Sequence, residues 1–239
     1  MTCNPRSNTY VEGVIILVAH NNLHLTKRAV RSALQELACA VFVYDNASTD
    51  GTKEWLISQS GIGSIILPKQ KSLSAVWNMA LKHAFRYSDH ALVLNNDVEI
   101  RGDTYEWLSS QPFKLVSAIS VRTKEEMNKE PSSLSLSPDF SCFLIRKELY
   151  EKVGPFDESF FPAYVEDCDY HVRLHRAGFQ AVCLDLPFLH HGAQTIKHVS
   201  PKEARRIERG ADRNREMFRQ RYGCLPGTEQ YAKLFHVEQ

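Results

Sequence analysis

Apolar runs rich in β-branched residues alternate with helix-spaced segments along the first half of the chain. The runs "GVIILVA" (13–19), "AVFVYD" (40–45), "SIILP" (64–68) and "HALVLNND" (90–97) are short and bounded by polar clusters, the pattern of buried strands. Between them, 25–37 sets Leu25, Ala29, Val30, Ala33, Leu34 and Leu37 at helical spacing, and 52–59 and 72–85 read as two further helices. Such alternation predicts an α/β fold: a mixed, mostly parallel sheet flanked by helices on both faces.

In such sheets ligands sit beyond the carboxyl ends of the strands. Polar residues gather there: His20, Asn21 and Asn22 after the first strand, Asp45 and Asn46 after the second, Asn95, Asn96 and Asp97 after the fourth. A turn explains any one cluster, since Asn and Asp favour turns. Three at one edge point to a binding crevice. No GxxxxGK[ST] loop is present, and the close glycine pair Gly61 and Gly63 precedes a strand instead of following one, so P-loop and dinucleotide folds lack support. A diphosphate bound without a glycine-rich cradle is usually neutralised by a divalent cation on carboxylates, a task for which Asp97 is placed.

The second half adds Glu166, Asp167 and Asp169 after an aromatic stretch and just before a helix that ends at Gly178. Acids at a helix N-terminus are favourable with the helix dipole, and Asp169 can pair with Arg173 one turn on. Two adjacent acids behind aromatic sequence also suit a general base whose pKa is raised in a partly desolvated cleft. Further on, "VCLDLPFLHHGAQT" reads as a strand ending in His190 and His191. Strand neighbours face opposite ways, so one of the two is expected to reach a site. A histidine near Asp97 favours manganese over harder cations.

Composition narrows the class. With 239 residues, 43% hydrophobic and 24% charged, the chain is expected to bury a substantial core and to be soluble. No apolar run approaches the roughly 20 residues of a membrane span, nor do the first ten residues resemble a signal peptide, so a cytoplasmic location is expected. Six cysteines without a CxxC pair suit a reducing compartment. The net charge of +1 exerts no global pull on nucleic acid, but from Lys197 to Arg221 nine Lys or Arg face four acids. That segment reads as a basic helix opening at Ser200, Pro201 and Glu203, either a solvated face paired to its own acids or a surface for an anionic partner. Trp77, Cys142 and Cys168 read as packing residues, as do His171 and His175, whose spacing lacks the HExxH glutamate.

Together these residues resemble the inverting glycosyltransferases of family two, whose nucleotide-sugar-binding fold is called GT-A. The resemblance runs from about Val14 to Phe235. "VYDNASTDGT" (43–52) is similar to the family's nucleotide-binding turn, and "LNNDV" (94–98) to its DxD element, with Asn95 where an Asp is usual. The segment 140–179 is similar to the acceptor side ending in the family's ED pair, and "HHGAQT" to its late metal-site histidine. Gln70 and Ser72 stand where the family usually has Asn and Gly, while Asn78 is retained.

The resemblance implies one domain: a nucleotide-sugar half at about 12–110, an acceptor-side half at about 111–196, and a C-terminal helix and tail at about 197–239. It implies a nucleoside-diphosphate sugar as donor, UDP-linked by preference, with Asp45, Asn46, Asn78, Asn95 and Asn96 binding it. Asp97 with His190 or His191 would hold manganese or magnesium, and Asp167, beside Glu166, would deprotonate the acceptor hydroxyl. Resemblance to phage and bacterial members makes a hydroxymethylated base in DNA one candidate acceptor, glycans and lipid-linked sugars others. A relic that binds nucleotide sugar without turnover is the non-enzymatic alternative.

Overall fold

The structure, a computed structural model, describes residues 12–192 and 201–235, with side chains from residue 204 in the second stretch. The expected capping residues Ser200 and Glu203, and Ala193 to Thr195, lie outside what is described. Strands β1 (Gly13–Ala19), β2 (Cys39–Asp45), β3 (Gly63–Ile66) and β4 (His90–Asn95) form the parallel block that the apolar runs predict. Five more complete the sheet: β5 (Val98–Glu99), β6 (Leu115–Val121), β7 (Leu134–Ser135), β8 (Cys142–Arg146) and β9 (Ala181–His190). The order is β3-β2-β1-β4-β8-β6-β9-β5, with β7 on β9.

Strand β8 runs antiparallel to both β4 and β6, whereas β6 and β9 are parallel to each other. Two reversals restore direction, so β6 and β9 point the same way as β1 to β4. The carboxyl ends of six strands therefore share one edge, joined there by the amino end of β8, where Cys142 pairs with Leu94. Everything placed just after those strands, or just before β8, is brought together by topology alone.

Alternation along the strands divides the core. Ile15, Leu17, Val41, Val43, Leu92 and Leu94 face one side, covered by α1 (Leu23–Ala33), α2 (Thr52–Ser58) and α4 (Thr104–Ser109). Val14, Ile16, Val18, Ala91 and Val93 face the other, under α3 (Leu73–Ala84), α5 (Lys147–Val153) and α6 (Glu166–Arg176). Trp77 is in this second core, edge-on to Phe143 at 5.5 Å. Helix α1 starts two residues earlier than the spacing predicts and ends at Ala33, because the chain must turn to enter β2; Leu37 consequently lies 78% exposed, off the stripe. Strand β4 likewise stops at Asn95, leaving Asn96 and Asp97 in the turn before β5.

Two C-terminal helices, α7 (Pro201–Tyr222) and α8 (Glu229–Lys233), follow. Ile207, Ala211, Asn214 and Phe218 form the buried stripe of α7. Phe218 packs with Phe160, Val165 and Val172 in a third, smaller core. His171 and His175 pack on Phe235, with ring centroids at 4.3 and 5.3 Å. No helix among the described residues is long and apolar enough to cross a membrane.

Candidate active site

At the carboxyl edge lies a cavity of about 780 Å³. Its wall takes His20 after β1, Asn46 after β2, Asn95 to Asp97 after β4, Asp139 before β8, Glu166 and Asp167 at the start of α6, and His190 at the end of β9. The strand-end clusters of the first half and the acids of the second, separate in sequence, meet in one concave surface.

Asp97 and His190 form a pair, with Nε2 3.3 Å from the carboxylate. They are opposed because Val98 pairs with His190 across β5 and β9. Burial alone would lower the His190 pKa, but the hydrogen bond and charge of Asp97, with Asp139 adding, outweigh it and leave the pKa raised. His191 goes elsewhere: its Nε2 lies 2.6 Å from Glu99, which also takes Arg28 at 2.6 Å. Strand alternation thus turns His190 to the cavity and His191 to Glu99. Among the described residues no group of three His, Cys, Asp or Glu is disposed to hold a metal. One carboxylate and one imidazole fit a divalent cation whose remaining positions come from a diphosphate and water, the usual division for cations that serve phosphate transfer.

Glu166 and Asp167 occupy the first turn of α6. Glu166 is buried, its Oε2 has no protein partner, and burial first, then the charge of Asp167, hold its pKa well above the ordinary carboxylate value. Asp167 is more open to the cavity; its pKa is also raised by burial, which the hydrogen bond from the Cys168 N–H at 2.7 Å only partly opposes. The chain reaches them through Tyr164 and Val165, both left-handed at φ 79° and 75°. For a β-branched residue that conformation is an outlier of the kind that clusters at functional sites.

Helix α7 holds this segment. Asn214, fully buried, donates through Nδ2 to the carbonyls of Ala163 and Tyr164 at 2.8 and 3.3 Å, and Arg213 donates to those of Ser159 and Phe161. Gly210 lies so close that a Cβ there would meet Pro162 at 2.5 Å. Asp169, expected to pair with Arg173, does so at 2.8 Å and also accepts from Arg221 and Tyr222, which fixes α7 to α6.

The expected donor residues separate by what already engages them. Asn95 lines the cavity. Asn46 lines it too, but its amide is clamped on the backbone of Lys71, donating at 3.0 Å and accepting at 2.8 Å. Asn96 donates to the Asn21 carbonyl and Thr26 hydroxyl, so it braces the start of α1. Asn78 is absent from the wall: it holds the backbone of Phe156, accepts from Tyr150 and donates to Glu158, a buried staple between α3 and the segment after α5. Asp45 is fully buried at the end of β2; Oδ1 accepts from the Ser48 N–H, and Oδ2 has no protein partner. An unpartnered buried carboxylate oxygen is rare and calls for a donor from outside the fold, though at zero exposure a ligand reaches it only if the following turn yields.

Of two further wall residues, the sequence placed His20 at the binding edge without a role, and Asp139 escaped it. His20 donates from Nδ1 to the Asn46 carbonyl at 2.8 Å and accepts from Gln70, which in turn accepts from Arg206 of α7 at 2.9 Å. Asp139 is anchored by its own N–H on the Ser117 hydroxyl and by the Ser141 N–H on its Oδ1, both at 2.8 Å. Only a polar triplet before an apolar run, "SPDFSCFLI", hinted at Asp139.

The family model "Glycosyl transferase family 2" matches residues 14–111. No curated protein matches the sequence. Among solved structures, a mannosyltransferase from Pyrobaculum calidifontis in complex with GDP-Man and Mn2+ superposes with a TM-score of 0.63 at 18% identity, covering 95% of this chain and 69% of that one. GalNAc-T7 with UDP, GalNAc and Mn2+ gives 0.62 at 12% identity over 77% of this chain and 44% of its own. TarS residues 1–349 of S. aureus in complex with UDP gives 0.58 at 15% identity over 94% and 70%. At such identities the likeness establishes the fold: the chain has the GT-A fold, and its first half carries the glycosyl transferase family 2 pattern.

Proposed function

We propose that the protein transfers a sugar, with inversion, from a nucleoside-diphosphate sugar to an acceptor hydroxyl, with a divalent metal at Asp97 and His190. The observation that carries this reading is the meeting of the Asp97–His190 pair with the Glu166–Asp167 pair in one cavity. Structural neighbours that hold GDP-Man, UDP and Mn2+ support it. A metal bound there would supply Lewis-acid charge against the departing diphosphate. Asp167, open to the cavity and made more basic by burial, takes the proton of the attacking hydroxyl. Glu166, beside it and held toward its protonated form, keeps that side of the cavity from accumulating a second charge. Asn95 contributes a neutral polar contact to the donor, and Asp45 offers its unpartnered oxygen to the base once the turn after β2 yields.

The test is Asp167→Asn, which preserves shape and removes the base. Release of nucleoside diphosphate on adding acceptor should fall by on the order of 10²–10⁴-fold, the usual contribution of a general base, while donor Kd stays within a few-fold. Undiminished transfer would remove Asp167 from its role.

A further inference from the structure

Resting on the glycosyl-transfer reading above, the charge of the cavity wall bears on which acceptors can enter. Asp97, Asp139, Glu166 and Asp167 all line it, and among the described lining residues there is no Lys or Arg. Burial favours the protonated form of Glu166, which still leaves three carboxylates. Asp97 faces His190 and would be answered by the metal and the donor's diphosphate. Asp139 and Asp167 have no Lys or Arg beside them among the described wall residues.

Asp139 lies within electrostatic reach of both pairs, since its charge acts to raise the pKa values of His190 and of Asp167 alike. Its anchorage between β6 and β8 holds the carboxylate in place. Around it the wall is neutral and hydrogen-bonding, with Ser120, Ser135 and Ser137, and the exposed ring of Tyr164 joins at the rim. Hydroxyl donors meeting fixed carboxylates and serines, with an aromatic face alongside, match a sugar ring, which is polar at its edge and apolar on its faces. A phosphate or sulfate brought to the same wall meets like charge in a partly desolvated site, where each such contact costs a factor of ten or more in binding.

Five arginines of the basic helix are held by groups of their own chain. Arg206 is turned to Gln70, Arg213 to the loop carbonyls, and Arg221 to Asp157 and Asp169. Arg215 and Arg219 pair with Asp212 and Glu216 on the helix itself. We infer that the acceptor is an uncharged saccharide, oriented by Asp139, and that the site is built against polyanionic acceptors, duplex DNA among them.

The test offers the protein a donor panel (UDP-glucose, UDP-GalNAc, GDP-mannose) with manganese. Three acceptor sets are compared: neutral oligosaccharides, their sulfated counterparts, and duplex DNA carrying hydroxymethylated pyrimidines. The readout is nucleoside diphosphate release at low and high salt. Neutral saccharides should exceed their sulfated forms by at least about tenfold in kcat/KM, with the gap narrowing as salt screens the wall. In Asp139→Asn, whose amide oxygen can still accept from Ser141, the neutral-to-sulfated ratio should shrink several-fold at an unchanged melting temperature. Sulfated sugars or DNA used as well as or better than neutral sugars, with donor bound, would overturn the inference and leave glycosyl transfer standing. An unchanged ratio in the variant would remove Asp139 from its orienting role. No donor binding and no release with any acceptor or with water would overturn both readings.

Discussion

Glu166 and Asp167 stand side by side at the first turn of α6, and burial raises both pKa values. The two consequences run in opposite directions with pH. A carboxyl whose folded pKa exceeds its unfolded one stabilises the fold in its protonated form, so this contribution is complete at low pH and is lost as pH rises through the folded pKa. Activity needs the base ionised and rises over that same window. The acidic limb of kcat/KM should therefore have its midpoint above the ordinary Asp value of about 4, and because the acids are coupled, that midpoint belongs to the pair. A pH–rate profile with its limb at or below pH 4 would contradict the placement. Single residues were unevenly legible in the sequence. The ED pair could be singled out as adjacent acids behind an aromatic stretch, and Asp97 and a strand-end histidine because several polar clusters end strands at one edge. The roles of Asn78 and Asn96 could not, since an amide in a helix or turn looks the same whether it faces a ligand or, as here, carbonyls of its own chain.

At the scale of elements, α7 acts as a strap over the segment that delivers the acids. Its basic composition suggested either a paired face or an anionic partner, and Arg206, Arg213, Arg215, Arg219 and Arg221 make contacts with their own chain. Sequence showed the helix and its buried stripe but not its target, because a stripe of Ile207, Ala211 and Phe218 carries no address. Asn214 is the decisive position in the stripe, a fully buried amide on two loop carbonyls. Asn214→Ala should cost about 1–3 kcal/mol in denaturant unfolding, the usual cost of stranding buried polar groups. It should also lower kcat on the order of 10–100-fold through misplacement of the acids, with donor Kd little changed. Stability lost with kcat intact would show that the strap holds the fold alone.

Across the whole molecule, the parallel block β3-β2-β1-β4 was readable because each strand is a continuous apolar run bounded by polar punctuation. The second half, apart from β9, was not. Strands β5 and β7 are two residues long, and β8 enters antiparallel between β4 and β6, a pairing set by tertiary contacts that leave no local pattern. Yet this reversal brings the amino end of β8, with Asp139, to the edge where β4 and β9 deliver Asp97 and His190. The site is thus a product of topology more than of any one motif. Its most direct test is calorimetric binding of UDP, GDP and their sugars, with and without manganese, to the parent and to Asp97→Ala. Expected is metal-dependent binding of one nucleotide sugar, weakened at least about tenfold in the variant, as loss of a metal contact implies. Binding of no nucleotide under any condition, or binding indifferent to both manganese and Asp97, would contradict the proposed donor site.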